Sequence, residues 1–242
     1  MRKIILLPAM VFTTLLFAQD SVKSNIIKSN ITGYALRNFN LTYERVITKK
    51  ISVSAGFGVI ANGSIPFASQ LSDANLNTSS AQIKGSNFTI EPRIYLGKGY
   101  GKGFYLAPYF RYSSFDLREI YYNLHVSYAG IGKDIPVDFA GKVKGASGGL
   151  MLGSQWFLGA KKNWVIDAWF IGGHYGKGTG TVTGTTKETL SPEMQSELKK
   201  QLNGLDIPFV KYETKVNAHG AEILVDGPWA GLRSGLSLGY RF

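Results

Sequence analysis

Apolar residues alternate with small or polar residues in seven segments of the chain. In the clearest segment, residues 231–242, leucine and aromatic residues share one parity, and arginine and glycine share the other. A period of two predicts a β-strand with one apolar face and one polar face. The seven predicted strands are residues 39–44, 51–59, 87–96, 104–113, 149–156, 164–171 and 231–242.

The lengths of the connections predict how these strands are arranged. The short connections are 49–50, 97–103 and 159–163, and the long ones are 61–85, 118–142 and 177–228. Outer-membrane barrels keep short turns in the periplasm and long loops outside. If the last strand ends in the periplasm, this pattern closes only with an eighth strand at about residues 22–32, followed by a short outer loop at 33–37. The prediction is an all-β fold, an eight-stranded antiparallel up-and-down transmembrane β-barrel with long outer loops.

A soluble barrel of the lipocalin type is the competing architecture. It would place the apolar parity inside and the polar parity outside. Aromatic residues make up 13% of the chain and there are 29 glycines. In the predicted strands the bulky aromatic residues stand opposite glycine, serine and charged residues, which favours the inverted arrangement, with the apolar face toward lipid.

The N-terminus predicts export. Arg2 and Lys3 precede a mostly apolar run at residues 4–17, and Ala18 is followed by polar residues. This pattern is typical of a secretory signal peptide over residues 1–18, which leaves the barrel over residues 19–242. The run is too short for a comfortable membrane anchor of roughly 20 residues. The predicted location is the outer membrane of a Gram-negative bacterium.

One segment of the last long connection departs from the β pattern. Ser191 is a suitable N-cap, Pro192 suits the first helical position, and Gly204 suits the end of a helix. Met194, Leu198 and Leu202 recur every four residues. The segment therefore predicts a short amphipathic helix, which either packs over the barrel mouth or binds a partner.

The chain resembles a known family of barrels. It combines a signal peptide, eight predicted strands, the dipeptide Tyr43-Glu44 before a lysine-rich turn, and the ending GLRSGLSLGYRF. In this combination it resembles the small outer-membrane β-barrel families of Bacteroidota, notably the DUF3575 group. The terminal Tyr-x-Phe motif resembles the signal that the barrel-assembly machinery recognises, which implies that machinery as a partner of the strand ending at Phe242. The resemblance implies no reaction and no cofactor.

The inward parity of the predicted strands carries three acids and three bases, together with Tyr95, Tyr105, Tyr109 and Gln155. An eight-stranded barrel is just wide enough for side chains to fill, so these charges must pair with one another. The prediction is a hydrogen-bonded polar plug, and the alternative is a narrow path for ions or small solutes. Glu91 and Arg111 are predicted to face each other. The six charged residues are Glu44, Glu91, Arg93, Arg111, Asp167 and Arg233.

Six lysines lie in the three short connections and are predicted to surround the periplasmic rim of the barrel. They are Lys49, Lys50, Lys98, Lys102, Lys161 and Lys162. In the simplest interpretation they keep the turns in water. The alternative is contact with anionic headgroups of outer-membrane lipid, where each cation contributes about 1 kcal/mol.

Little in the sequence indicates catalysis. His125 and Ser127 would share a strand face, and an outer-membrane lipid A deacylase uses a similar His-x-Ser arrangement, but no orienting acid is evident. No metal-ligand spacing or cofactor motif is present, and the net charge of +11 accompanies no nucleic-acid recognition motif. The predicted role is non-enzymatic, either structural or in surface interaction with an extracellular partner through the outer loops. The alternatives are a small channel and a lipid-modifying enzyme that uses His125 and Ser127.

Overall fold

The computed structural model describes residues 23–65, 76–97, 99–128, 131–204 and 211–242. The side chains of residues 127–133 lie outside the described part of the chain. The predicted signal peptide, residues 1–18, lies outside it as well.

Within these ranges the backbone forms ten strands, a 3₁₀ turn and one α-helix. The strands are β1 (Asn25–Asn30), β2 (Asn38–Val46), β3 (Ile51–Ser64), β4 (Leu76–Asn77), β5 (Gln82–Tyr95), β6 (Gly103–Tyr128), β7 (Ile131–Leu158), β8 (Trp164–Thr185), β9 (Lys211–Asn217) and β10 (Gly220–Arg241). The 3₁₀ turn is Thr32–Leu36, and the helix, α1, is Pro192–Asn203. None of the described helices is long and apolar enough to cross a membrane.

Eight of the strands close into a ring. Their order is β1-β2-β3-β5-β6-β7-β8-β10, and antiparallel pairing of β10 with β1 completes the circle. The two remaining strands lie beside the ring, β4 against β6 and β9 against β10. The predicted eight-stranded antiparallel barrel is confirmed, and β1 occupies the segment where the alternation is weak.

The barrel has two different ends. At the short-turn end, brief connections join β2 to β3, β5 to β6 and β7 to β8. At the long-hairpin end, β6 and β7 continue well past their neighbours and reach 26 and 28 residues in length. Most of residues 118–142, predicted as a loop, is therefore paired strand. A bulge between Leu117 and Ile120, with Glu119 at a φ of 56°, reverses the parity of β6 and hides its continuity in the sequence.

Large apolar side chains cover the outside of the barrel. On β5, the outward side chains of Phe88, Ile90 and Ile94 are each exposed over more than a third of their surface, as is Leu96 directly after the strand. Other strands show the same pattern, for example Leu150 on β7 and Leu238 on β10. Most of the lumen-facing side chains are polar or small, with a few apolar ones such as Ile26 and Met151, so the barrel has the inverted polarity that the sequence predicts.

An apolar core lies at the long-hairpin end, outside the lumen of the barrel. We call it the outer core; it consists of Tyr122, Leu124, Val126, Ile135, Val137, Phe139, Leu190, Leu198, Leu202 and Ala221. The β6–β7 hairpin supplies one side of this core and α1 covers it. The inner side of the sheet, which is polar in the barrel, therefore becomes apolar above it, in a compact projection formed by the β6–β7 hairpin, α1 and the strands beside them.

Helix α1 begins and ends as the sequence predicts. The Ser191 side chain accepts a hydrogen bond from the Met194 backbone at 3.3 Å, and Gly204 lies at the C-cap. Ser191 also donates to the Glu193 carboxylate at 2.7 Å, which lowers the pKa of that exposed carboxyl. Leu198 and Leu202 are fully buried in the outer core. The helix is a cap on the hairpins, and its apolar face is already occupied.

Candidate functional site

The lumen at the level of β1, β2, β5 and β8 contains four buried charges. We call Lys28, Glu44, Arg93 and Asp167 the inner cluster. Lys28 Nζ lies 2.5 Å from Glu44 Oε2 and 2.6 Å from Asp167 Oδ2. Arg93 Nη1 lies 2.8 Å from Asp167 Oδ2 and 3.2 Å from Glu44 Oε2. The charges of two cations and two anions therefore cancel within a fully buried cluster. Buried charges are tolerated only when they are paired in this way.

Hydroxyl and amide groups complete the bonding of the inner cluster. Tyr95 donates to Glu44 Oε1 at 2.7 Å, and Ser52 donates to the same oxygen at 2.6 Å. Tyr105 donates to Asp167 Oδ1 at 2.7 Å. The Gln155 carbonyl accepts a hydrogen bond from Lys28 at 2.8 Å. All four carboxylate oxygens are bonded, so the cluster forms a polar plug across this part of the lumen.

The other three predicted lumen charges lie nearer the long-hairpin end. Glu91 lies 3.3 Å from Arg93 Nη2 and 3.7 Å from Arg233 Nη1. The Arg233 guanidinium also stacks over the rings of Tyr109 and Trp169, at 4.6 and 4.9 Å from their centroids. These contacts connect the outer lumen to the inner cluster through Arg93.

The predicted pairing of Glu91 with Arg111 is wrong. In the β5–β6 register Arg111 stands opposite Thr89, two residues away from Glu91. Its guanidinium donates weakly to Thr89 at 3.4 Å and to Ser113 at 3.3 Å. Within the described part of the chain, no carboxylate lies within ion-pair distance of Arg111, because the strand register places the only nearby acid beside two other arginines.

Lys28 is the central residue that sequence analysis missed. It lies on β1, whose inward face mixes apolar Ile26 with Lys28 and Asn30, so the strand shows no clear alternation. A signal was nevertheless available, because closure of the ring required a strand at this position. Once that strand is assigned, Lys28 must face the lumen, because its charge cannot be accommodated on an apolar outer face.

Five of the six predicted rim lysines lie exposed in the three connections of the short-turn end: Lys49, Lys50, Lys102, Lys161 and Lys162. Lys98 lies outside the described residues. The Lys50 ammonium donates to the Gly97 carbonyl at 2.6 Å, which links two neighbouring turns. In the described part of the chain, the acidic side chains nearest to this end are Glu44 and Asp167, and both are buried in the lumen, so the exposed side chains of the rim are basic.

Replacement of these five lysines by glutamine is expected to reduce the preference of the protein for anionic over neutral vesicles by roughly tenfold or more, because each cation near a charged surface contributes about 1 kcal/mol. Insertion yield from detergent into vesicles with and without phosphatidylglycerol measures this preference. The matched control changes five exposed lysines of the long-hairpin end: Lys142, Lys144, Lys177, Lys199 and Lys200. Equal loss in both variants would reject a specific role for the rim.

The structure places the carboxylate of Asp134 beside His125, a contact that was not evident in the sequence. His125 Nδ1 lies 2.7 Å from Asp134 Oδ1, its partner across the β6–β7 hairpin. Both side chains are more than half exposed, at 57% and 67%. The Ser127 side chain lies outside the described residues. Among the described residues, no three His, Cys, Asp or Glu side chains are grouped so that they could hold a metal ion.

The closed ring, its apolar outer surface and its ion-paired lumen define a small antiparallel β-barrel of inverted polarity. The chain belongs to the family described as "Protein of unknown function (DUF3575)", whose family model matches residues 5–180. Among solved structures, it is similar to Ail, the attachment invasion locus protein of Yersinia pestis, with 12% identity over 90% of this chain and 97% of that chain and a TM-score of 0.32. No curated protein matches the sequence.

Proposed function

We propose that this protein is an integral outer-membrane barrel with a non-enzymatic role, in which the barrel anchors the long-hairpin end and displays it for surface interaction. The observation that carries the proposal is the apolar belt around a barrel whose buried charged side chains face the lumen. In water such a surface would be an aggregation hazard, since contiguous exposed apolar patches on soluble monomers rarely exceed a few hundred Å². In a bilayer it is the required surface.

The dimensions of the belt support this location. On β8, the exposed aromatic side chains of Trp164 and Tyr175 stand eleven residues apart. At about 3.3 Å per residue and a strand tilt of about 40°, this spacing corresponds to ~28 Å along the barrel axis. The apolar band of outer-membrane barrels is about 25 Å tall, with aromatic residues at both borders. Trp164 also packs edge-to-face against Tyr240, with 5.8 Å between the ring centroids, and the two rings form part of the aromatic border at the short-turn end.

The filled lumen supports anchoring rather than transport. The inner cluster occupies the lumen with two ion-paired cations and two ion-paired anions, and Tyr95, Tyr105 and Gln155 bond to them. Opening a path would separate buried charges, which is strongly unfavourable. The same argument disfavours catalysis within this cluster, because every carboxylate oxygen is already bonded.

The projection at the long-hairpin end supports a role in display. It has its own apolar core, a capped helix and continuous strand pairing with the barrel wall. Flexible loops need none of these features. The His125–Asp134 pair lies on the open surface of this projection, where water would weaken an electrostatic contribution to catalysis, and we therefore assign it no catalytic role.

Labelling of single cysteines tests the location and orientation of the barrel. The chain contains no cysteine, so Lys199→Cys and Lys50→Cys can each be read without background. On intact cells, a membrane-impermeant maleimide is expected to label Lys199→Cys on the projection. It should label Lys50→Cys at the short-turn end only after the outer membrane is permeabilised. Labelling of both positions on intact cells, or of neither, would contradict the proposed orientation.

Conductance in a planar bilayer separates the anchor from the channel alternative. The wild-type protein is expected to give no discrete current steps, because the inner cluster closes the lumen. The positive control is Arg93→Ala, which removes a large side chain and one of the two cations from the cluster and should increase leakage. Well-defined steps from the wild type would favour the channel and overturn the role proposed here.

A further inference from the structure

A small cavity lies in the lumen between the inner cluster and the long-hairpin end. Its volume is about 50 Å³. Its lining is polar and includes Ser54, Asn87, Thr89, Glu91, Arg111 and Arg233. At roughly 10–15 Å³ for each water molecule, the space holds on the order of three or four waters. It is therefore too small for a lipid chain or a sugar, but large enough for a small ion with one or two waters.

The charged side chains of this cavity carry an excess positive charge. Arg111 and Arg233 supply two cations, and Glu91 supplies one anion. Glu91 is shared, since it also lies 3.3 Å from Arg93 of the inner cluster. Arg111 has only the long hydrogen bonds to Thr89 and Ser113. The two cations and two anions of the inner cluster cancel one another, so that cluster has no negative charge left to balance Arg111.

Several buried polar groups along this wall also have no hydrogen-bond partner within the described structure. The groups able to donate a hydrogen bond are Ser54 Oγ, Asn87 Nδ2 and Arg233 Nη1, and one acceptor, Asn38 Oδ1, is unpartnered as well. The Ser54 side chain belongs to a residue that is 1% exposed, and Asn87 is 7% exposed. Unsatisfied buried polar groups are uncommon and unfavourable, and they indicate a missing water or ion. Ser54, Asn87 and Arg233 all line this cavity, and each of the three groups is able to donate a hydrogen bond.

We propose that the cavity binds a single monovalent anion of halide size, held by Arg111 and by the donors of Ser54, Asn87 and Arg233. Glu91 also lines the cavity, and its carboxylate excludes multiply charged anions such as phosphate. The inner cluster closes the lumen beneath the ion, so the site is a dead end rather than part of a conducting path. The proposal does not depend on the display function, because it concerns the lumen alone.

Thermal unfolding in matched salts tests this site. The purified barrel in detergent is melted in sodium gluconate and in increasing sodium bromide at constant ionic strength. The apparent melting temperature of the wild type is expected to rise with bromide and to saturate. Arg111→Gln should lose this dependence, whereas the control Arg118→Gln, which removes an exposed arginine of the same strand, should keep it.

Crystals grown in bromide provide a second measurement that needs no variant to fold. An anomalous peak beside the Arg111 guanidinium and the Asn87 amide is expected. A cavity that contains only water in these crystals would overturn the proposal. A bromide effect that is equal in the wild type and in Arg111→Gln would overturn it as well. Neither result would alter the cysteine-labelling or conductance outcomes, so the two proposals fail independently.

Discussion

Replacement of Lys28 by methionine is expected to destabilise the barrel by about 3–5 kcal/mol, the range found when one partner of a buried ion pair is removed. Lys28 bridges Glu44 and Asp167, at 2.5 and 2.6 Å. Without it, Arg93 is the one remaining cation of the inner cluster beside two buried carboxylates. Methionine is similar in length and apolar, so the effect reports mainly the loss of charge and not of volume.

Urea unfolding in lipid vesicles, followed by tryptophan fluorescence, measures this loss. The matched control is Lys177→Met, which removes an exposed pair with Asp226 and should cost about 0–1 kcal/mol. The double variant Lys28→Met with Asp167→Asn removes one charge of each sign and should recover part of the stability. If Lys28→Met were no less stable than Lys177→Met, the inner cluster would not be the main polar constraint of the lumen.

Replacement of Leu198 by alanine is expected to destabilise the projection by about 2–5 kcal/mol while the barrel itself stays folded. Leu198 is completely buried in the outer core, between α1 and the β6–β7 hairpin. Truncation leaves a cavity under a short helix, whose other fully buried side chain in the outer core is Leu202. The Gln201 side chain, which donates to the His125 carbonyl at 2.9 Å, would not hold α1 in place alone.

Limited proteolysis separates the two parts of the molecule. Cleavage within α1 should become much faster in Leu198→Ala, whereas the heat-modifiable gel mobility of the barrel should remain unchanged. Lys199→Ala is the matched control, since Lys199 is the exposed neighbour on the same helix turn. Slow cleavage in both variants would mean that the helix is held by something other than the outer core.

The strands of the barrel could be predicted because their outer faces are uniform. Lipid accepts only apolar side chains, so residues such as Leu232, Leu238 and Tyr240 repeat strictly on β10. The lumen imposes no such uniformity. On β1 it accepts Ile26 near the short-turn end and Lys28 one step further, so the inward parity of that strand has no consistent character. Alternation alone therefore does not reveal this strand, which was predicted from the closure of the barrel, and it does not indicate the central cation that the strand carries.

Pairings across the lumen were harder to predict than the strands themselves. Glu91 and Arg111 lie on adjacent strands at similar distances from the turn, but the register places Tyr109 across from Glu91 and shifts Arg111 by two residues. A shift of two residues moves Arg111 to the next inward-facing position along the strand. The register of the two strands depends on the structure of the turn between β5 and β6. The alternation of residues along each strand does not reveal that structure.

The projection shows a different limit of sequence analysis. Tyr122, Leu124 and Val126 alternate correctly for a strand, but with the parity opposite to that of the same strand inside the barrel. The bulge at Glu119 accounts for the change. Because the segment also contains several polar residues, it was predicted as a loop, and the contact between His125 and Asp134 could not be anticipated.

The long pairing of β6 with β7, which runs from Gly103 opposite Gln155 to Tyr128 opposite Ile131 with one bulge between Leu117 and Ile120, has a mechanical consequence. A pull applied at the tip of the hairpin acts along both strands together, so the hydrogen bonds of β6 to β5 and of β7 to β8 share the force in shear instead of opening one after another. The tip and the barrel wall therefore move as one stiff lever. Any body held at the tip would transmit tension and torque directly to the surrounding bilayer, without the slack that a flexible tether provides.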